Sequence, residues 1–199
     1  MRFLLADDHA LFREGLGVWF SRLAPDAEIH TSGDLHTTLE ALANPPPFDL
    51  VVSDLMMPGM DGVAGVERLC ALAGTAPVLV LSARQHPLTM SACLQAGARG
   101  YLSKESDGEA VLDAARRLLA GETVLPPGVD LPDAGLSPRQ LTLLRCLAEG
   151  MPNKTIATTL GLSEGTVKQY LNELYLRLGV QNRSQAALEA REILALPDY

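Results

Sequence analysis

Asp7, Asp8, Asp54, Ser82 and Lys104 each close or follow a short apolar run: FLLADD, DLVVSD, VLVLSA and GYLSK. Their types and spacing are those that a phosphoryl-accepting carboxylate pocket would require. An acid pair suits magnesium, a hard ion that prefers oxygen ligands and keeps waters while bridging carboxylates to phosphate. Asp7 and Asp8 are the candidate holders of that ion. Asp54 stands alone and is the candidate nucleophile, because a carboxylate can take a phosphoryl group as an acyl phosphate. Lys104 would balance charge on the transferred group, and Ser82 would donate a hydrogen bond to it. Three carboxylates held this close repel, so they need a cation or shifted pKa values. A pocket of this kind works by positioning and electrostatics.

Such residues converge only if their runs are neighbouring strands. The apolar runs read as buried strands of a parallel sheet at roughly 2–6, 27–31, 49–54, 77–82 and 99–103. Between them a first helix carries Phe12, Leu16, Trp19 or Phe20, and Leu23 at helical spacing, and later helices cover roughly 34–43, 61–73, 87–96 and 107–119. Pro45–Pro47 lack backbone donors and hold an extended turn before the third strand. This alternation gives an α/β domain with a doubly wound, five-stranded parallel sheet over residues 1–120. In such sheets ligands bind outside the carboxyl ends of the strands, where the five polar residues lie.

Residues 121–135, rich in proline and glycine, read as a linker. From 136 to 199 the chain reads as a small all-α domain of four helices, at about 138–148, 153–160, 164–178 and 184–194. Ser137 with Pro138 at the first helical position, Asn153, Ser163 and Ser184 are the expected caps.

The chain has 199 residues, of which 47% are hydrophobic and 20% charged, enough for a real core. Residues 1–135 hold 9 of the 16 basic and 18 of the 24 acidic side chains, so the formal charge of −8 hides an acidic first part and a near-neutral tail. That asymmetry suggests two modules with different partners. Cys70, Cys93 and Cys146 are odd in number and far apart, as small buried hydrophobes in a reducing compartment would be. His9, His30, His36 and His86 show no metal-ligand spacing with them, and no zinc or iron site is expected. No apolar run approaches membrane-spanning length, and MRFLLADDH turns acidic too early for a signal peptide. A soluble cytoplasmic protein with no membrane partner is expected.

Residues 153–178 carry a helix–turn–helix pattern. Ile156, Ala157 and Leu160 form an inner face, Gly161 permits the turn, Leu162 plugs the corner, and Val167, Leu171, Leu174 and Leu178 face inward. Glu164, Lys168, Gln169 and Asn172 remain outside, near the start of a helix that could enter a major groove. Lys168 can bind phosphate or guanine, and Gln169 and Asn172 can pair with adenine. Log K falls by about 0.9 per unit of log salt for each phosphate neutralised, so a weakly basic domain gains little affinity alone. Binding as a dimer to paired half-sites is therefore expected.

MRFLLADDHALFREGL, SDLMMPGMDG, the Ser82-Ala83 step and GYLSK together resemble the receiver domain of bacterial response regulators, a flavodoxin-like fold. The resemblance implies that Asp54 is the phosphoacceptor and that Asp7, Asp8 and Asp54 bind Mg2+ with the backbone carbonyl of Met56. It implies that Ser82 and Lys104 contact the phosphoryl group, and that a sensor histidine kinase is the phosphodonor, selected near Leu11–Leu16. Tyr101 matches the aromatic that turns inward when the hydroxyl follows the phosphate, although packing alone also accounts for an aromatic at a strand end. Glu105 stands where many receivers have proline. The run from Leu136 to Ala186 resembles the DNA-binding domain of the LuxR/FixJ class, and its order after a receiver is that of the NarL/FixJ family. That places Thr166, Lys168, Gln169 and Asn172 toward double-stranded DNA, Lys154 and Arg183 near its phosphates, and the last helix at a homodimer interface. Tyr170 and Thr142 depart from the residues usual there, histidine and glutamate. The implied protein is a transcription regulator, not an enzyme, in which phosphorylation remodels the fourth and fifth strand-helix units and either pairs receivers or frees the tail. Three rivals remain. A phosphatase of the haloacid dehalogenase type normally needs a second acid two residues beyond its nucleophile, where this chain has Met56. The others are a flavodoxin-like cofactor binder and a receiver that acts without phosphate.

Overall fold

The computed structural model describes residues 1–126 and 136–196. Five strands, β1 (Arg2–Ala6), β2 (Glu28–Ser32), β3 (Leu50–Asp54), β4 (Val78–Ser82) and β5 (Gly100–Ser103), form one sheet in the order β2-β1-β3-β4-β5. Every pairing is parallel. Successive side chains on a strand point to opposite faces, and the core divides accordingly. Phe3, Leu5, Leu50, Val52, Leu79 and Leu81 pack under α1 (Ala10–Leu23) and α5 (Gly108–Leu119). Leu4, Val51, Val78 and Val80 pack under α2 (Leu35–Ala43), α3 (Val63–Ala73) and α4 (Pro87–Gln95). Two-sided burial explains why β3 and β4 read as unbroken apolar runs. The order reverses at β1, so β1 and β3 open a crevice at their carboxyl ends.

Departures from the expected boundaries have local causes. α3 starts at Val63, two residues late, because Asp61 (φ 48°) and Gly62 (φ 59°) are left-handed and cannot belong to a right-handed helix. The segment after α5 is tied down at first: Tyr101 N–H donates to the Val124 carbonyl and Val124 N–H to that of Arg99, both along the edge of β5. The remaining part of the expected linker, 127–135, lies outside the described residues.

The tail holds α6 (Pro138–Ala148), α7 (Asn153–Leu160), α8 (Glu164–Leu178) and α9 (Arg183–Ile193) around a core that includes Leu144, Ile156, Val167, Leu174, Ala186 and Ile193. Ser137 and Gln140 close a reciprocal capping box, and Ser163 caps α8. Two expected caps are corrected. Pro152 precedes α7 and Asn153 is already helical, its side chain serving Arg183 instead. Asn182, not Ser184, caps α9 by accepting from the Gln185 N–H. The end of α9 docks on the start of α3, where Val63 N–H donates to the Leu194 carbonyl at 3.0 Å. A Cβ on Gly62 would meet that carbonyl oxygen at 1.9 Å, so the docking requires glycine. Arg145–Glu67 (3.1 Å) and His86–Glu189 (3.2 Å) flank the contact. Among the described residues no helix is long and apolar enough to cross a membrane.

Candidate functional site

β1 delivers Asp7 and Asp8, β3 ends on Asp54, and the turn after β5 delivers Lys104. Lys104 Nζ bridges Asp7 Oδ2 at 2.7 Å and Asp54 Oδ2 at 2.8 Å. Asp7 and Asp54 are almost wholly buried, so the ammonium supplies the cation their proximity demands. The other oxygen of Asp54 accepts from the Met56 N–H at 3.1 Å. Burial pushes the Asp54 carboxyl above its usual range, with the Lys104 contact and the Met56 bond only partly offsetting it. Burial also works against the Lys104 charge, but the bonds to Asp54 and Asp7 outweigh it and hold that ammonium above its ordinary value. Arg13, one turn into α1, donates to the Asp7 backbone carbonyl and fixes the end of β1.

Asp7, Asp8, His9 and Asp54 each present a ligand atom, all within 4.8 Å of one another. Three hard carboxylates fit a magnesium ion. Above them lies an open cleft of about 430 Å³ lined by His9, Leu11, Phe12, Asp54, Met56, Ala83 and Lys104. Its wall is mostly apolar, and the Lys104 ammonium lies 5.2 Å from the Phe12 ring centroid.

Ser82 ends β4 fully buried, and its hydroxyl accepts from the Arg84 N–H at 3.1 Å. Tyr101, on the neighbouring strand, is fully buried and its hydroxyl donates to the Arg84 carbonyl at 2.6 Å. Desolvation holds the Tyr101 phenol far above its ordinary value. The ring is therefore turned inward, and the backbone of Arg84 links Ser82 to Tyr101.

In the tail, Lys154, Lys168, Gln169 and Asn172 are exposed, while Thr166 is half-buried with its hydroxyl on Ser163 at 2.8 Å. The outer face of α8 is thus open to a partner. Arg183 differs: it is half-buried and donates to Asn153 Oδ1 at 3.0 Å and to the Met151 carbonyl, bracing α7 against α9. Tyr170 accepts from Arg139 at 3.1 Å, with the guanidinium 5.4 Å from the ring centroid, so this departure from the usual residue has an internal partner. His9 and the Arg84 carbonyl were not singled out from the sequence. For His9 the signal was adjacency to the acid pair, not spacing to the cysteines. A main-chain acceptor such as that of Arg84 leaves no trace in residue identity.

Residues 3–116 match the response regulator receiver domain family, and residues 134–190 match the bacterial regulatory proteins of the luxR family. The glycerol metabolism activator of Pseudomonas putida is 33% identical, with 96% of each chain covered. The nitrate/nitrite response regulator NarL of Escherichia coli K12 is 30% identical, covering 93% of this chain and 92% of that one. In fold, the chain is similar to the RcsB response regulator of Salmonella typhimurium, with a TM-score of 0.62 at 23% identity over 94% of this chain and 96% of that one.

Proposed function

Because the chain belongs to the NarL/FixJ family of two-component response regulators, transcription regulators that join a receiver to a LuxR-type DNA-binding domain, we propose that Asp54 is its phosphoacceptor and that the acyl phosphate governs DNA binding. The observation that carries this reading is the Lys104 bridge between Asp7 and Asp54, which gathers the pocket's charges around one point at the sheet's rim. An Asp54 carboxylate oxygen attacks the phosphorus of a phosphohistidine on a sensor kinase. The P–N bond breaks as the new P–O bond forms, and the imidazole leaves with that electron pair and takes a proton. Lys104 then turns from its carboxylate partners to the phosphoryl oxygens, and Ser82 donates to one of them. Mg2+ held by Asp7, Asp8, Asp54 and the Met56 carbonyl would neutralise charge on the group in transfer. Exposed Leu11 and half-buried Phe12 give the kinase an apolar rim to seat against.

Movement of Ser82 pulls on the Arg84 backbone and so on Tyr101, making this pair the switch that phosphorylation biases. The readout is the α8 face: Thr166, Lys168, Gln169 and Asn172 toward bases, and Lys154 toward the phosphate backbone. Arg183 acts there chiefly by holding α7. Two copies meet on a roughly palindromic site in the cytoplasm, with residues 1–120 as receiver, 121–135 as linker and 136–199 as reader. Mass spectrometry after acetyl phosphate treatment tests the reading. The wild type should gain one phosphoryl group and then bind DNA more tightly, and Asp54→Asn should do neither. An Asp54→Asn chain that still responds fully overturns it.

A further inference from the structure

Where the tail docks on the receiver, a cavity of about 540 Å³ remains, separate from the cleft above Asp54. Both modules wall it. The receiver contributes Asp61 and Ala64 at the entry to α3, and the tail contributes Arg145, Ala148 and Glu149 from α6 and its cap. Arg191 and Leu194, at the end of α9, complete the tail's share. Two cations and two acids thus face a space whose apolar surface comes from small or aliphatic side chains. Small-molecule sites have volumes of about 300–1,000 Å³, favour domain interfaces and set a few polar groups in an apolar lining. Arg145 holds Glu67 at 3.1 Å and Asp61 holds Arg68 at 3.2 Å, both as exposed pairs. Pairs of that kind are weak and exchange for another partner at little cost. Arg191 has a partner of its own.

We propose that this cavity binds a small zwitterion with an apolar side chain, a free amino acid of the leucine or phenylalanine type. Its carboxylate goes to Arg145, whose planar guanidinium matches that group. Its ammonium goes to Glu149, and its side chain lies against Ala64, Ala148 and Leu194. A ligand of single charge would leave one sign of the cavity without a partner. The bland alternative is solvent filling an imperfect fit between two modules. Because receiver and tail each supply a wall, the site exists only while α9 is docked on α3. The ligand therefore binds the docked state alone and biases the chain toward it. On the reading that α9 pairs two copies on DNA, this lowers DNA affinity, and bound DNA weakens the ligand by the same factor.

The test titrates the full unphosphorylated chain by calorimetry with L-leucine and L-phenylalanine. Beside them go isocaproate and hydrocinnamate, which lack the ammonium, and isoamylamine and phenethylamine, which lack the carboxylate. At least one amino acid should bind, with one molecule per chain. Both of its counterparts should bind about tenfold or more weakly, the loss of one charge-assisted hydrogen bond. Glu149→Gln should cost the amino acid a similar factor and leave the ammonium-free acid unchanged. Arg145→Gln should weaken that acid and leave the amine unchanged, and Ala148→Trp, which fills the cavity, should abolish binding. Failure of both amino acids to bind, counterparts that bind equally well, or a Glu149→Gln chain that keeps its selectivity would each overturn the site. Saturating amino acid should then lower the DNA affinity of the phosphorylated chain by about fivefold or more. Binding of the amino acid with DNA affinity unmoved overturns the coupling. A chain that takes the amino acid but no DNA under any condition overturns the DNA-binding half of the proposed function and leaves the site standing.

Discussion

Asp54 is a buried acid whose ionised form the fold disfavours, and that cost is a property of one side chain. Its folded pKa lies above the unfolded value, so the penalty is present at neutral pH and disappears as pH falls through that raised value. Replacing it by the neutral isostere in Asp54→Asn should therefore raise the melting temperature at pH 7. The gain should shrink toward zero in acid, where Asp54 is itself neutral, and thermal melts across pH would show this. A lower melting temperature for the variant at pH 7 would mean that the Lys104 bridge outweighs burial. Tyr101 shows how far a residue can be read from sequence. Its identity marked it as either packing or switch, but its inward pose depends on the Arg84 carbonyl, seventeen positions back.

At the scale of elements, the strands were legible to within a residue or so, and two-sided burial writes β3 and β4 as apolar runs, whereas the edge strand β2, EIHTS, is only partly buried. Ends decided by backbone conformation were less so. The start of α3 was hidden by the positive φ of Asp61 and Gly62, and the cap of α9 by a choice between nearby polar residues, Asn182 and Ser184. The fit of Gly62 against α9 was not legible at all, since it joins positions far apart in the chain. Gly62→Ala should push the end of α9 off α3, speeding hydrogen exchange at the amides of Val63 and of the last turn of α9. Gly59→Ala is the control. It also has positive φ, but a Cβ there meets only that of Leu35, at 3.6 Å, and nothing of α9. If both variants exchange alike, backbone strain is the cause and not the lost docking. Within the tail, Ser137→Ala removes one half of a capping box and should cost the helical domain about 1 kcal/mol, measurable by denaturant titration.

For the whole molecule, the docking surface is built from α3 and α4 on one side and α6 and α9 on the other, not from the outer face of α8. The contact therefore restrains the helix expected to pair two copies while leaving the side chains proposed to read DNA, on the outer face of α8, in solvent. If DNA is bound by pairs, Lys154→Ala should lower the slope of log K against log salt by about 1.8, twice the value for a single phosphate. A drop of about 0.9 would indicate one chain per site. If the exposed Lys168, Gln169 and Asn172 meet DNA as proposed, unphosphorylated chains should already slide along the chromosome. The delay between stimulus and transcription is then set by two neighbours meeting at a promoter, not by the search for it. Single-particle tracking in living cells should find Asp54→Asn molecules spending as long in brief, non-specific stops as the wild type, and lacking only the long ones.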